Sequence, residues 1–515
     1  MRSKSKTKAE FGDFQTPLSL AQSICRLLTR QGLQPRSLIE PTCGYGNLLL
    51  AGISHFPNIE EALGVDINSD HIKRAEDNLQ RVKTASRVRL TVADFFDYDW
   101  SGAIAQMPEP ILLLGNPPWV TNAGLGALSS QNLPAKSNFQ NHSGLDAKTG
   151  KANFDIFEWM LIRLMDAMTG RVGTLAMLCK SAVARKALCH AWKNSIPVER
   201  SAIYRIDAGL HFDASVDAVL LVTHFKPKAH DLNATVYSQL SDGPVETAIG
   251  YEDGLLLSNL AGYRRWNHLV GKEWRKWRSG IKHDCSKVME LRREGAKYRN
   301  GLNEVVALED TYLYPMLKSS DVAGGRAATG TRWMIVPQKI VSEDTATIRD
   351  SAPKTLAYLN HHAELLNKRA SSIYRGRPPF SVFGVGDYSF APWKVAISGF
   401  YKKLAFVPVG PFEGRPTVLD DTSYFLPFEA KEQAEYIASL LNSPVAQAFY
   451  GAFVFWDSKR PITVDLLRRL DLHRLAKQLG SEEEWNRLFE NLRDNKGRSH
   501  TPERQNELWP SSLLP

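Results

Sequence analysis

Leu38-Ile39-Glu40-Pro41-Thr42-Cys43-Gly44-Tyr45-Gly46 is a short apolar run that ends on an acid and passes through two glycines into a helical pattern. An apolar pair closed by a polar residue reads as a buried strand emerging at its carboxyl end. Glycines in the turn that follows let the backbone approach a ligand where a side chain would collide. Leu49 stands where a dinucleotide fingerprint needs its third glycine, which counts against NAD or FAD.

The same layout recurs along the first half. Apolar runs over 62–65, 88–92 and 111–114 stop at Asp66-Ile67, Asp94-Phe95 and Gly115-Asn116. Further strands are predicted over 172–178, 202–206 and 216–225, and helical spacing follows Pro17 and covers 70–82 and 154–168. Strands alternating with helices predict an α/β fold with a mostly parallel sheet covered on both faces. Ligands in such sheets bind at the carboxyl ends of the strands. Glu40, Asp66, Asp94 and Asn116 therefore belong to one site. The alternation stops after Pro227, with a junction at 226–242, and a helix returns over 431–442.

The bulk numbers agree with a folded soluble protein. A chain of 515 residues with 43% hydrophobic and 23% charged content is too long for one core and ordinary for soluble domains. No apolar run approaches the ~20 residues that span a bilayer. The basic start at 1–8 runs into Glu10 and Asp13 instead of an apolar segment, so no signal peptide is expected. Five scattered cysteines without CxxC spacing predict reduced thiols in a cytoplasm and no zinc site. The net charge of +9 is uneven: residues 263–299 hold twelve basic and four acidic side chains. Such a field suits a polyanionic partner or, equally, a solvated helical face.

The strand ends suggest specific chemistry. Asp66 lies 20 residues past Gly46, where a carboxylate accepts hydrogen bonds from both hydroxyls of a ribose. Asp94 beside Phe95 suits an adenine ring, the acid accepting from its amine and the phenyl packing on a face. With no Walker lysine, the pocket fits an adenosine whose tail is zwitterionic, not phosphorylated. In Asn116-Pro117-Pro118-Trp119 two prolines stiffen the turn and leave carbonyls to accept, the amide adds an acceptor, and the indole is a flat platform. Two acceptors on a planar NH2 group would localise its lone pair toward an activated methyl as charge develops.

These motifs together resemble the N6-adenine DNA methyltransferases of the gamma arrangement, the TaqI-like and Eco57I-like enzymes. Phe14-Gln15-Thr16-Pro17 matches the family's N-terminal motif, and Asn153-Phe154-Asp155 the motif after the catalytic one. Trp119 stands where the family more often has Tyr, which keeps the stacking face and loses a hydroxyl. The resemblance implies a Rossmann-like class I methyltransferase domain with a mostly parallel seven-stranded sheet over 1–235. A mixed α+β target-recognition domain would follow over 236–480, and a polar tail over 481–515. It implies S-adenosyl-L-methionine held by Thr16, Glu40, Pro41, Cys43, Gly44, Gly46, Asp66, Ile67, Asp94, Phe95 and Asn116, with no metal.

Under the same resemblance a flipped adenine would be sandwiched between Trp119 and Phe212. Double-stranded DNA would meet Lys136 and Lys151 of the Ser/Asn/Gly-rich 124–152 connection, and Arg275, Arg278, Lys282, Arg375 and Arg377 of the second half. The setting implied is a bacterial or phage-type cytoplasm, with restriction carried out by a separate endonuclease. Enzymes acting on RNA bases or protein glutamine carry a similar Asn-Pro-Pro-aromatic motif, and a non-catalytic specificity subunit is a further alternative.

Overall fold

The computed structural model describes residues 15–119, 156–213, 216–241, 243–326 and 330–490. They divide into two compact units, the first running to Leu260 and the second starting at Ala261.

The first unit is an α/β sheet covered by helices. Its elements are α1 (Leu18–Arg30), β1 (Ser37–Glu40), α2 (Asn47–His55), β2 (Glu61–Asp66), α3 (Ser69–Leu79), β3 (Arg87–Val92), α4 (Trp100–Gln106) and β4 (Ile111–Gly115). There follow α5 (Ile156–Ala167), β5 (Gly173–Lys180), α6 (Ser181–Lys193), β6 (Val198–Ile206), α7 (Ala208–Phe212), β7 (Ala218–Phe225), β8 (Asn233–Tyr237), β9 (Val245–Glu252) and β10 (Leu255–Leu257). Strands β1 and β4 are buried at every residue, as expected of continuous apolar runs in a sheet covered on both faces. Helix α1 turns Leu20, Ala21, Ile24, Cys25, Leu27 and Leu28 inward, and they share a core with Leu48 and Leu49 of α2 and Leu112 and Leu114 of β4.

The strand order is β10-β9-β8-β6-β7-β5-β4-β1-β2-β3. From β3 to β6 this is the Rossmann-like sheet expected from the sequence, with β7 antiparallel to both its neighbours. The sheet has ten strands rather than seven, because β8 adds in parallel to β6 and β9 and β10 follow as hairpins. A boundary at 235 would cut β8, so it moves to Leu260. Strand β8 buries only alternate residues, Ala234 and Val236, and gives a weaker apolar signal than the strands before it.

The second unit is mixed α+β. One sheet joins β14 (Val305–Val306), β13 (Lys297–Asn300), β12 (Glu290–Glu294), β16 (Arg332–Ile335), β15 (Leu313–Leu317) and β19 (Val418–Leu419) in that order. Another joins β11 (Arg278–Ser279), β20 (Ser423–Phe428), β17 (Trp393–Ser398) and β18 (Val407–Val409). Helices α8 (Pro353–His361), α9 (Lys431–Leu441) and α10 (Glu482–Trp485) pack with them. Residues 263–299 are thus split among short helices and three strands and do not form one helical face.

The polar tail expected from 481 begins later than that. Trp485 and Phe489 are buried, and both rings pack on Trp274, with centroids 4.9 and 4.7 Å away. A one-turn spacing of apolar residues inside a polar stretch was enough to anchor it. Among the described residues no helix is long and apolar enough to cross a membrane.

Lys394 of β17 is 1% exposed, and its Nζ donates to the Ala391 carbonyl at 2.6 Å. Burial pushes its pKa down to about 7 from 10.5. Between those values the unfolded chain binds the proton and the folded chain does not, so stability rises with pH across that window. Lys394→Met should therefore melt above the parent at pH 7, with the gap closing as pH rises toward the unfolded value. Thermal denaturation across pH checks this, and a gap independent of pH would refute it.

Candidate active site

The turn from β1 to α2 is built on left-handed glycines. Gly44 has φ 51° and Gly46 φ 77°, and a Cβ on Gly44 would lie 2.5 Å from Gln15 Oε1. That oxygen accepts from Tyr45 N at 2.9 Å, so the segment before α1 braces the loop. Glu40, 3% exposed, accepts from Leu49 N at 2.8 Å through Oε2 and satisfies a first-turn N–H of α2. Burial drives its pKa well above the usual carboxylate range, against the Leu49 hydrogen bond and with the help of nearby Asp66. Cys43 is a buried thiol whose pKa is raised by burial and by both acids.

Asp66 joins that loop to the next helix. Its Oδ2 accepts from Gly44 N and its Oδ1 from Asn68 N, both at 2.8 Å, while His71 Nδ1 lies 3.3 Å from Oδ1. The cap of α3 is Asn68 itself, whose side chain accepts from Asp70 N. Beside Asp66, Ile67 is 48% exposed, an apolar surface at a strand end. Asp94 accepts from Phe96 N at 2.8 Å. Phe95, expected as a pocket wall, is 5% exposed and packs on Trp100 at 4.9 Å. The half-buried ring at this strand end is Phe96, which packs on Trp159.

Asn116 leaves β4 next to the glycine loop. A Cβ on Gly115 would lie 3.0 Å from Met177 Sδ and 3.3 Å from Pro41 Cδ, so these backbones approach because residue 115 has no side chain. Asn116 Nδ2 donates to Thr16 Oγ1 at 3.2 Å, and the Thr16 carbonyl accepts from Asn47 Nδ2 at 2.8 Å. Thr16 thereby ties Asn116 to the first residue of α2. Pro117 is buried, and Pro118 and Trp119 are half-buried. The Trp119 carbonyl accepts from Lys180 Nζ at 3.2 Å.

The Trp119 and Phe212 rings are neighbours, as expected, but not as a sandwich. Their centroids are 5.2 Å apart and the planes cross at 67°. A base stacked between two parallel rings needs about 7 Å, two contact distances, so the pair must part to admit one. Leu210 on the same short helix is 77% exposed. His71 and Lys180 were not foreseen; their roles lie in contacts across the sheet edge, which spacing does not reveal.

The second-unit cations divide by environment. Arg275 is partly buried, donates to the Pro427 carbonyl and lies over Trp274 and Phe428, so it serves the interior. Arg278 lies 4.2 Å over Tyr388, Lys282 is 3.2 Å from Asp284, and Arg377 donates to Ser342 Oγ at 2.7 Å. Arg375 is exposed, as are Lys272, Lys276, Lys287, Arg292, Arg293 and Lys297. Trp277 is core. Phe14, Lys136, Lys151, the 124–152 connection and Asn153-Phe154-Asp155 lie outside the described residues.

No protein-family model matches the chain. It is 45% identical over 473 residues to the Type II methyltransferase M.NspV of Nostoc sp., an alignment covering 92% of this chain and 98% of that protein. Among solved structures, the Type IIL restriction-modification enzyme MmeI in complex with DNA aligns with a TM-score of 0.53 at 14% identity, over 95% of this chain and 69% of the other. A class I S-adenosylmethionine-dependent methyltransferase from Listeria monocytogenes aligns over 44% of this chain and 67% of its own at 18% identity, with a TM-score of 0.31.

The burial of Glu40 has a measurable consequence. A carboxyl whose folded pKa is raised loses stability as pH climbs from 4.5 through the folded value. Glu40→Gln keeps an acceptor for Leu49 N–H and cannot ionise. Its melting temperature should exceed the parent's, by a margin that grows with pH. Glu40→Ala, which loses the acceptor and leaves a hole, should fall below the parent by about 2–4 kcal/mol. Chemical and thermal denaturation decide both, and a Gln variant less stable than the parent at pH 8 would refute the assignment.

Proposed function

The chain belongs to the Type II methyltransferases and is built on a Rossmann-like class I sheet, and from that membership we propose that it is a site-specific DNA methyltransferase acting on the N6 amine of adenine. The donor in this reading is S-adenosyl-L-methionine, and the adenine is flipped out of duplex DNA. The enzyme would be the modification partner in a restriction-modification or defence system, alongside a separate endonuclease.

The observation that carries the reading is the Asn116 amide held by Thr16 at the carboxyl end of β4. With Nδ2 donating to Thr16, the amide plane is fixed and its other edge presents Oδ1 as an acceptor. Pro117, which has no N–H of its own, fixes the turn and leaves its carbonyl as another acceptor. Two acceptors on one exocyclic amine draw the lone pair out of the ring and favour the charge that develops there. No strong base is required, because the proton is lost from an amine that has become cationic. Trp119, opened away from Phe212, supplies the stacking face.

The strand-end residues fit the donor. Glu40, Asp66 and Asp94 give the site a negative character, and the 40–46 loop contains no lysine or arginine. The loop also leaves the buried Thr42 Oγ1 without a protein partner. Such a site suits a ligand that brings hydroxyls and positive charge, and it disfavours phosphates. S-adenosylmethionine supplies a methyl already activated by its sulfonium. Asp66, fixed from two sides, would take the ribose hydroxyls; Asp94 and Ile67 would meet the adenine edge, with Phe95 behind them in the core. Thr16, Glu40, Pro41, Cys43, Gly44 and Gly46 would surround the methionine end.

DNA is the substrate this reading assigns to the exposed cations of 263–299 and to Arg375. Neutralising phosphates with them would make binding fall steeply with salt. Arg278, Lys282 and Arg377 remain proposed contacts, while Arg275 is better placed to support the fold.

Asn116→Ala should lower methyl transfer by at least about a thousandfold with donor binding nearly unchanged. Nucleoside mass spectrometry of duplex DNA incubated with the chain and the donor reads both product and rate. Methylated cytosine, methylated protein or no product would overturn the proposal. Thr16→Val, which loses one neutral hydrogen bond, should cost about fivefold in kcat, near 1 kcal/mol, with a smaller change in the KM for DNA.

A further inference from the structure

The second unit contains a group of metal-ligating side chains unrelated to the methyl-transfer site. The turn from β13 to β14 is organised by Asn300, whose Oδ1 accepts from Leu302 N at 2.9 Å and Glu304 N at 3.0 Å. Its Nδ2 donates to Glu304 Oε2 at 2.6 Å and to Tyr358 Oη at 3.0 Å. Tyr358 in turn donates to the Val288 carbonyl at 2.8 Å. The Glu304 carboxylate, 41% exposed, is tethered through Oε2 to the buried Asn300–Tyr358 pair. Facing it, α8 ends in His361 and is followed by His362, whose ring packs edge-on against Tyr358 at 4.7 Å.

His362 is 5% exposed, and its Nε2 lies 2.9 Å from Glu304 Oε2, an ion-pairing distance. Two atoms of this kind, each bearing a lone pair, can share a bound cation. One ligand atom each from Glu304, His361 and His362 lie within 4.8 Å of one another.

We propose that Glu304, His361 and His362 bind a divalent transition-metal ion of zinc's class. Atoms bound tetrahedrally at 2.0–2.1 Å sit roughly 3.3 Å apart. The Glu304–His362 separation of 2.9 Å is already close to that, and the exposed His361 ligand atom lies within 4.8 Å of both. Two imidazoles and one carboxylate select zinc or its neighbours over magnesium and calcium, which prefer all-oxygen shells. Asn300 and Tyr358 act as the outer shell that orients the carboxylate. The ion fastens the 301–304 turn to the end of α8 and keeps one position for water. The sequence pattern gave no warning, because the ligands are 57 residues apart and none is a cysteine.

Equilibrium dialysis of the untagged full chain against zinc, with elemental analysis, tests the site. One equivalent should be retained and removed by a chelator, with a rise in melting temperature on zinc addition. Glu304→Gln and His361→Ala should each weaken retention at least tenfold and abolish the thermal shift. His361 is exposed, so its variant should match the parent's melting temperature in chelator. Cobalt substitution should give a nitrogen and oxygen spectrum without a thiolate charge-transfer band. Absence of stoichiometric zinc, equal binding by both variants, or a thiolate band would overturn the proposal.

Discussion

Strands β1 and β4 pair in parallel, with Ser37 opposite Ile111 and Ile39 opposite Leu113, and from this pair the sheet grows in opposite directions. Parallel neighbours end at the same edge, so Glu40 and Gly115-Asn116 leave the sheet side by side. The close approach of Gly115 to Pro41 then sets the two turns against each other. Thr16 needs only two hydrogen bonds to connect them. A side chain at 115, or a shift of β4 by one residue, would separate the amide from the glycine loop and turn Asn116 to the other face.

The electrostatics follow from that geometry. Glu40 and Asp66 stand near each other in a region that water does not reach well, and the protein offers them backbone N–H groups in place of a lysine or arginine. Amide dipoles stabilise a carboxylate less than a full charge does, so the acids remain receptive to a cation. Under the proposed function, the folding stability lost here would serve a site that a positively charged donor completes.

Much of this was legible in the sequence because β1, β2 and β4 are buried through most of their length, while β3, at the sheet edge with no buried residue, showed itself by Val88, Leu90 and Val92 before Asp94. Continuous apolar runs ending in Glu40, Asp66, Asp94 and Asn116 are visible without knowing any contact. The edge strands β8 to β10 were not, since they bury every second residue or less. Phe95 shows a different limit. Its ring is paired with Trp100 five residues on, and only the fold reveals which of two adjacent phenylalanines faces inward. In the second half, counting cations located a basic field. It could not separate Arg275, pressed between two rings, from Arg292 in solvent. The apolar spacing of Trp485 and Phe489 was short enough to be lost in a polar background.

Under the proposed function, the edge-to-face contact of Trp119 with Phe212 would affect which molecules are admitted. An open aromatic slot would attract any flat heterocycle in the cell, and free purines and nucleotides are abundant. Here a visitor must first break a ring contact worth about 0.5–1.5 kcal/mol and then replace it, so stacking alone yields little net gain. A base presented on a long polyanion has further contacts to draw on, whereas a free one does not. Under the proposed function the pair would act as a threshold, since a small competitor gains little from stacking once the protein's own aromatic contact is broken.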